Sequence, residues 1–546
     1  MNAVEPAPRR GFLHILAAAV VLNIPFLLCH PARPVIDAPF PRSLAVNAVL
    51  FLLPAAPFVG LMIRRGRLRG QWLLWLFLLS SAVFVGSLVS VRILGLPARA
   101  GTIWNIEWLV CNLGVVLNLA FHKSSDSGVR VSGREILHAL APFLLAYLLL
   151  FHGATGVVPV LPDQDDEIQG TAYGLITHLQ PSYRTARQTE YFLSHPPAVH
   201  VYVAGSLLYF GLLDRLAIYD SLRPGSLTAE AMYLHYRRHP HLLETRAPDI
   251  FFGALTAMLL CGWVTRLSGR WWAGLLVAFG YACTPAVFVR SSYAGYFAAT
   301  NLLQILILSL LEDREFPSDR YRRTACFLAG ALVALCDHKM VLLPVSVALW
   351  EFLRKREGGT RPAVLSAVSH PLVTGFAAGT AVFWAYGLAI NPEEFFRDHV
   401  HNHLVDRILH HNPLGYGGYP GLAGLWAEFW VHSGYLLLPL GIVSLGALCF
   451  GGRMMNIRGS GWRGTAGLWC IWTLVIALVF SVVDWRQSKH LAPMAMPLML
   501  ASAHYVLKRF PIAVAGILFA ALLACNMALL LSLAGDFGSI PAVPDW

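Results

Sequence analysis

Long apolar stretches separated by short polar ones run through the whole chain. They fall near 11–29, 43–63, 72–91, 103–121, 136–159, 196–213, 248–265, 271–289, 295–311, 325–353, 364–390, 433–451, 465–483, 491–507 and 511–533. Most are long enough to cross the ~30 Å of a bilayer's hydrocarbon as a helix. Their Leu, Ala and Val content with interspersed Gly argues helices, since barrel strands would alternate over roughly ten residues. The pattern predicts an all-α polytopic membrane protein with about 13–15 transmembrane helices. It divides into an N-terminal four-helix block over 1–134, a core over 135–390, a polar loop over 391–432 and C-terminal helices over 433–546.

Composition agrees: 56% of the 546 residues are hydrophobic and 13% are charged. Arg9 and Arg10 precede the first apolar stretch, but no small-x-small cleavage site follows, so the expectation is an uncleaved anchor. The net charge of +11 sits in short connections such as 64–69, 237–238, 320–323, 354–356 and 453–463, which is a topology signal and not a nucleic-acid signal. The nine Cys show no metal-ligand spacing and read as reduced packing residues. Lys is scarce beside Arg, a weak pointer to a GC-rich bacterial source.

The positive-inside rule places those basic connections on the cytoplasmic face. Three polar stretches then share the outer face: the acidic run 163–167, the loop 391–432 and the stretch 484–490. The loop 214–247 reads as cytoplasmic, which leaves three apolar segments between two cytoplasmic loops and requires one of them to be short or re-entrant. The stretch 325–353 is interrupted by Asp337, His338 and Lys339 and reads as two half-length helices with Lys339 near their outward turn. Within 162–195, Tyr173, Leu175, Ile176 and Leu179 fit the stripe of a helix lying on the membrane surface.

The acidic run carries the first candidate chemistry. Asp163, Asp165, Asp166 and Glu167 at a membrane boundary are costly unless they bind a cation, pair with basic groups or move protons. A carboxylate pair at a cavity mouth can act as general base or hold a divalent cation, with Asp165 and Asp166 the candidate ligands; the bland alternative is a solvated turn. Lys339 in a helix break needs an anionic partner, either Asp337 or a phosphate on a lipid-linked substrate. Arg486, Lys489 and His490 cluster at the outer boundary, as interfacial anchors or as an anion site. His399, His401, His403, His410 and His411 alternate in the outer loop without a complementary ligand set, so a loop covering a headgroup, with Arg407 reaching phosphate, is the better reading than a metal site.

In this order, these residues resemble the GT-C superfamily of polytopic glycosyltransferases, in the branch holding protein O-mannosyltransferases and lipid A aminoarabinose transferases. The resemblance is carried by Asp166-Glu167 after Pro162, by His195-Pro196-Pro197 running to Phe210-Gly211, and by the stretch from Gly330 to Lys339. Glu394-Phe395-Phe396-Arg397 with Arg407, and Ser488-Lys489-His490 before Leu491-Ala492-Pro493, complete it. It covers about 135–510. One departure is that Pro285 and Arg290 match, yet the following stretch 291–300 holds no Asp or Glu where members often carry a second acid.

The resemblance implies a GT-C-like catalytic module over 135–390. It implies transfer of a sugar from a polyprenyl-phosphate carrier to an unidentified acceptor at the outer face, in a bacterial inner membrane with the site toward the periplasm, with inversion at the anomeric carbon. Asp166 would be the base and Glu167 its support or a cation ligand, while Lys339, Arg407, Lys489 and His490 would meet the phosphate. Asp163, His195, Arg290 and Arg486 are further candidates. No cofactor is certain beyond a possible divalent cation, the partners are the donor and membrane lipid, and nucleic acid is not one. The competing readings are a secondary transporter using the acidic run for ion coupling and a non-catalytic binder of lipid-linked sugar.

Overall fold

The computed structural model describes residues 133–154, 158, 167–178, 182–184, 189–191, 193, 195–209, 242–312, 319–406, 421–451, 464–483 and 490–539. The chain divides into two compact units, one of 1–137, 204–221 and 315–317 and the other of 138–203, 222–314 and 318–546.

The described residues are almost all helical. In chain order come α1 (Gly133–His152), α2 (Glu167–His178), α3 (Ala198–Tyr209), α4 (Leu242–Ser268), α5 (Trp271–Ala282), α6 (Pro285–Ser291), α7 (Phe297–Glu312) and α8 (Asp319–Cys336). Then come α9 (Leu342–Lys355), α10 (Thr360–Val368), α11 (Pro371–Ile390), α12 (Leu422–His432), α13 (Leu437–Gly446), α14 (Thr465–Val482), α15 (Ala495–Arg509) and α16 (Ile512–Ser539). A small antiparallel hairpin, Ser182–Arg184 with Thr189–Tyr191, lies between α2 and α3. Among the described residues four helices are long and apolar enough to cross a membrane alone: Thr245–Ser268, Pro371–Ile390, Thr465–Val482 and Ile512–Ser532. Two bent pairs, α5 with α6 and α12 with α13, raise that to six. Large apolar side chains such as Leu478, Val482, Ile517 and Leu531 face outward, as they do where the surroundings are lipid. This is an all-α polytopic membrane protein. The first four expected segments lie outside the described residues.

Small residues set the closest helix pair. A methyl group at Gly375 would strike the Phe327 carbonyl, one at Gly379 the Ala331 carbonyl, and one at Gly330 the Leu372 carbonyl. The α8 and α11 backbones therefore touch, the small-xxx-small packing by which helices associate in lipid. As expected, 325–353 is two helices: α8 ends at Cys336 and a 3₁₀ turn, His338–Val341, leads into α9. Asp337 caps that turn by accepting the Lys339 backbone N–H at 3.0 Å.

The bend of 71° between α5 and α6 sits at Cys283-Thr284, before Pro285. A proline and a break free backbone carbonyls that need new donors. Asn526, fully buried on α16, supplies them: its amide donates to the Gly280 carbonyl at 2.8 Å and to the Thr284 hydroxyl at 3.2 Å. The second bend, 100° between α12 and α13, turns at Gly434 with φ +85°, where a Cβ would collide with the same Asn526 side chain.

Three stretches add detail to the expected pattern. The 214–247 connection runs into α4, and its last cation is buried. Arg246, with no exposed surface, donates to the carbonyls of Ala154 at 2.7 Å and Val158 at 3.0 Å, beyond the C-terminal end of α1. α4 thus starts at the end where α1 finishes. Arg246 is thus a buried cap on orphan carbonyls, while Arg237 and Arg238, the cations counted in that connection, lie outside the described residues. Among the apolar segments that follow, the irregular one is the pair α5 and α6, bent by 71° into the short α6. Second, of the expected stripe Tyr173, Leu175, Ile176 and Leu179, only Leu175 has a described side chain. Ile168, Thr171 and Ala172 are buried, Leu175 is half-buried, and the first turns are enclosed. Third, the loop 391–432 is largely helical where described: Pro392–Phe395 runs into a π-helix, Phe396–Asp406, and α12 follows.

Candidate functional site

Six elements converge on one cavity of about 610 Å³, its open mouth included. Its walls come from α6, α7, the His338–Val341 turn, the start of α9, α14 and the turn before α15. Arg290, Lys339 and His490 line it, together with Asp337, Tyr293, Tyr296, Trp472 and Phe480.

Each of these polar side chains is aimed by a local feature. The bend before α6 carries Arg290 across the bundle end, where its guanidinium donates to the Tyr293 hydroxyl and lies 5.5 Å from that ring's centroid. The 3₁₀ turn projects Lys339, whose Nζ donates to the Tyr296 hydroxyl at 2.9 Å and sits 5.1 Å from the ring centroid. Asp337 is committed to the turn's backbone, so Lys339 meets a tyrosine beside the cavity in addition to any carboxylate contact. His490, 4% exposed, opens the turn before α15 and stacks on Phe480 with centroids 5.0 Å apart. His195, half-buried in the turn before α3, approaches Tyr296 with ring centroids 5.3 Å apart.

Tyr296 is held from behind. Asp249 on α4 is fully buried; one carboxylate oxygen accepts the Gly295 N–H at 3.2 Å and the other faces the Tyr202 hydroxyl at 3.5 Å. Tyr202 also donates to the Gly295 carbonyl. The stretch 291–300, which contains no acid of its own, therefore receives a carboxylate from α4.

Four of the residues singled out from the sequence thus stand in or against one cavity: Lys339, Arg290 and His490 line it, and His195 packs on Tyr296. Glu167 begins α2. Asp163, Asp165, Asp166, Arg407, Arg486 and Lys489 lie outside the described residues. Among the described residues no group of three or more His, Cys, Asp or Glu is arranged to hold a metal. Of the alternating histidines, His399 is buried 4.8 Å from Phe383 and stacked at 5.2 Å on Phe395, which makes it a packing residue. His401 is exposed, and His403, His410 and His411 have no described side chains.

Sequence reasoning missed Tyr293, Tyr296 and Asp249. The tyrosines carry no pattern of their own. Asp249 did offer a signal, since an acid one turn inside an apolar helix is unusual.

Among solved structures, the crystal structure of ArnT from Cupriavidus metallidurans bound to undecaprenyl phosphate is similar, with a TM-score of 0.48 and 14% identity, covering 75% of this chain and 70% of that chain. No protein-family model and no curated protein matches the sequence.

Proposed function

We propose that the chain is a GT-C-type glycosyltransferase that moves a sugar from a polyprenyl-phosphate carrier to an acceptor at the outer face of the membrane. The observation that carries this reading is the convergence of Arg290, Lys339 and His490 on one cavity walled by aromatic and aliphatic side chains. Cations gathered at the end of an apolar bundle suit a ligand with an anionic head and a hydrocarbon tail.

The chemistry follows from the leaving group. The acceptor oxygen or nitrogen attacks the anomeric carbon, that bond forms as the bond from carbon to the phosphate oxygen breaks, and the configuration inverts. Charge grows on the departing lipid phosphate, and fixed cations at that point stabilise the transition state more than the ground state. Lys339 and Arg290, oriented by Tyr296 and Tyr293, take this role, with His490 as a further donor. Arg407 and Lys489 are assigned to the same phosphate by sequence. Asp166 takes the acceptor's proton and Glu167 supports it. The reading assigns the site to the periplasmic side of a bacterial inner membrane, from the distribution of basic connections.

The test is turnover by the full chain in lipid nanodiscs with a panel of radiolabelled polyprenyl-phosphate sugars and a mixed glycolipid acceptor pool. Asp166→Asn should abolish transfer while the melting profile and carrier binding persist. Unchanged turnover in that variant would remove the general-base assignment. If wild-type protein neither turns over nor binds polyprenyl phosphate, the reading fails.

A further inference from the structure

The opposite ends of α8 and α9 carry a second charged assembly. α8 has 18 residues, so its start lies about 27 Å from the turn that bears Lys339. At that end Glu351 on α9 is only 3% exposed and holds two cations: Arg354 at 2.6 Å and Lys355 at 3.0 Å. The Ser366 hydroxyl of α10 donates to the same carboxylate at 2.9 Å and accepts from Lys355 at 2.7 Å, tying α10 to α9. Arg354 and Lys355 are thereby fixed in orientation, yet their side chains remain 43% and 51% exposed. Arg323, Arg356 and Arg361 are exposed in the same region, against one exposed acid among the described residues there, Glu357.

Beside this charge lies an apolar surface with no protein cover among the described residues. α10 turns Ala363 and Ala367 inward and leaves Val364, Leu365 and Val368 at 45%, 62% and 63% exposed. Leu349 and Leu353 of α9 are exposed next to it. A short helix with its larger apolar residues facing out, beside pinned cations, has the form of an interfacial element.

We propose that this end is a binding site for an anionic phospholipid. Arg354 and Lys355 hold the headgroup phosphate, and the acyl chains lie along Val364, Leu365 and Val368. The charge balance selects an anionic head over a zwitterionic one, and the apolar strip selects a lipid over free phosphate. The buried Glu351 acts as a positioning residue, because it keeps both cations aimed at one point.

The experiment is a binding titration of the purified full chain in mild detergent with phosphatidylglycerol and with phosphatidylcholine of the same acyl chains, read by native mass spectrometry. Wild type should prefer phosphatidylglycerol. Each cation near an anionic lipid surface is worth roughly a fivefold change in affinity, so Arg354→Gln with Lys355→Gln should reduce that preference by at least about tenfold. Inorganic phosphate should not compete. Lys339→Met should leave the preference intact, which separates this site from the cavity and makes its outcome independent of the transferase reading. If the double variant folds poorly, wild type in rising salt gives the same test, because screening should erase the preference. Equal affinity for the two lipids in wild type, or an undiminished preference in the double variant, would overturn the proposal.

Discussion

Replacing Lys339 with Met keeps the length of the side chain and removes its charge. A phosphate oxygen about 4 Å from the ammonium, at the effective dielectric of a partly enclosed site, gains about 4 kcal/mol. Desolvation and the neighbouring Arg290 and His490 share that gain, leaving a loss of about 2–3 kcal/mol, or roughly 30- to 150-fold in affinity for polyprenyl phosphate. Tyr296→Phe keeps the ring under the ammonium and removes only the hydroxyl that Nζ meets at 2.9 Å. Its expected effect is about 0.5–1.5 kcal/mol, roughly two- to tenfold. The two should not add. Without the ammonium, the hydroxyl has nothing to aim, so Tyr296→Phe in the Lys339→Met background should change affinity by less than about 0.5 kcal/mol. The assay is equilibrium binding of a fluorescent polyprenyl phosphate to each of the four proteins in nanodiscs. Wild-type affinity in Lys339→Met, or fully additive effects in the double variant, would refute the assignment of Lys339 as a phosphate contact oriented by Tyr296.

Packing and burial lead to three further expected outcomes. Gly379→Val forces a branched side chain against the Ala331 backbone and should destabilise the protein by about 1–3 kcal/mol or more, lowering the midpoint of unfolding in detergent; an unchanged midpoint would contradict backbone contact between α8 and α11. Asn526→Leu removes the donor shared by Gly280 and Thr284 and should cost about 1–3 kcal/mol, with faster hydrogen exchange around the α5–α6 bend; protection equal to wild type would show that the bend does not depend on it. His370, the cap that precedes α11, has its imidazole pKa lowered to about 4, chiefly by burial, with Glu351 opposing and Arg354, Arg322 and Lys355 adding to the effect. The unfolded chain takes up that proton near pH 6.5 and the folded chain does not until about pH 4, so stability should fall by up to about 3 kcal/mol as pH drops through that window. His370→Asn should flatten this part of the pH profile, and an identical profile in the variant would remove His370 as its source.

Much of the fold could be read from apolar run lengths, because lipid leaves helices as the only open choice for the backbone. The break at Asp337–Lys339 was legible for the same reason, since three polar residues inside an apolar stretch must be accommodated by a turn. Tertiary pairing was not. Arg246 looks like any loop cation until the carbonyls of Ala154 and Val158 are found beside it, about ninety residues away. Asn526 gives no hint that its amide bonds to one bend and packs against the glycine of another. At the site, Lys339 stood out as a charge inside an apolar stretch, His490 as one of a polar cluster at its boundary and Arg290 only through the family resemblance, whereas Tyr296 and Asp249 act through a backbone segment that only the fold brings together. His399 shows the converse: its place in an alternating run says nothing of the aromatic packing in which its ring is found.

The contact between the α8 and α11 backbones has a mechanical consequence. Helices packed through glycine have no side-chain cushion, and sliding or parting them loses their van der Waals contact at once. Lys339 hangs from the end of that stiff pair and serves as a fixed post. On the transferase reading proposed above, any room a bulky headgroup needs comes from the other walls, where Trp472, Phe480 and His490 stand on α14 and the turn leading into α15.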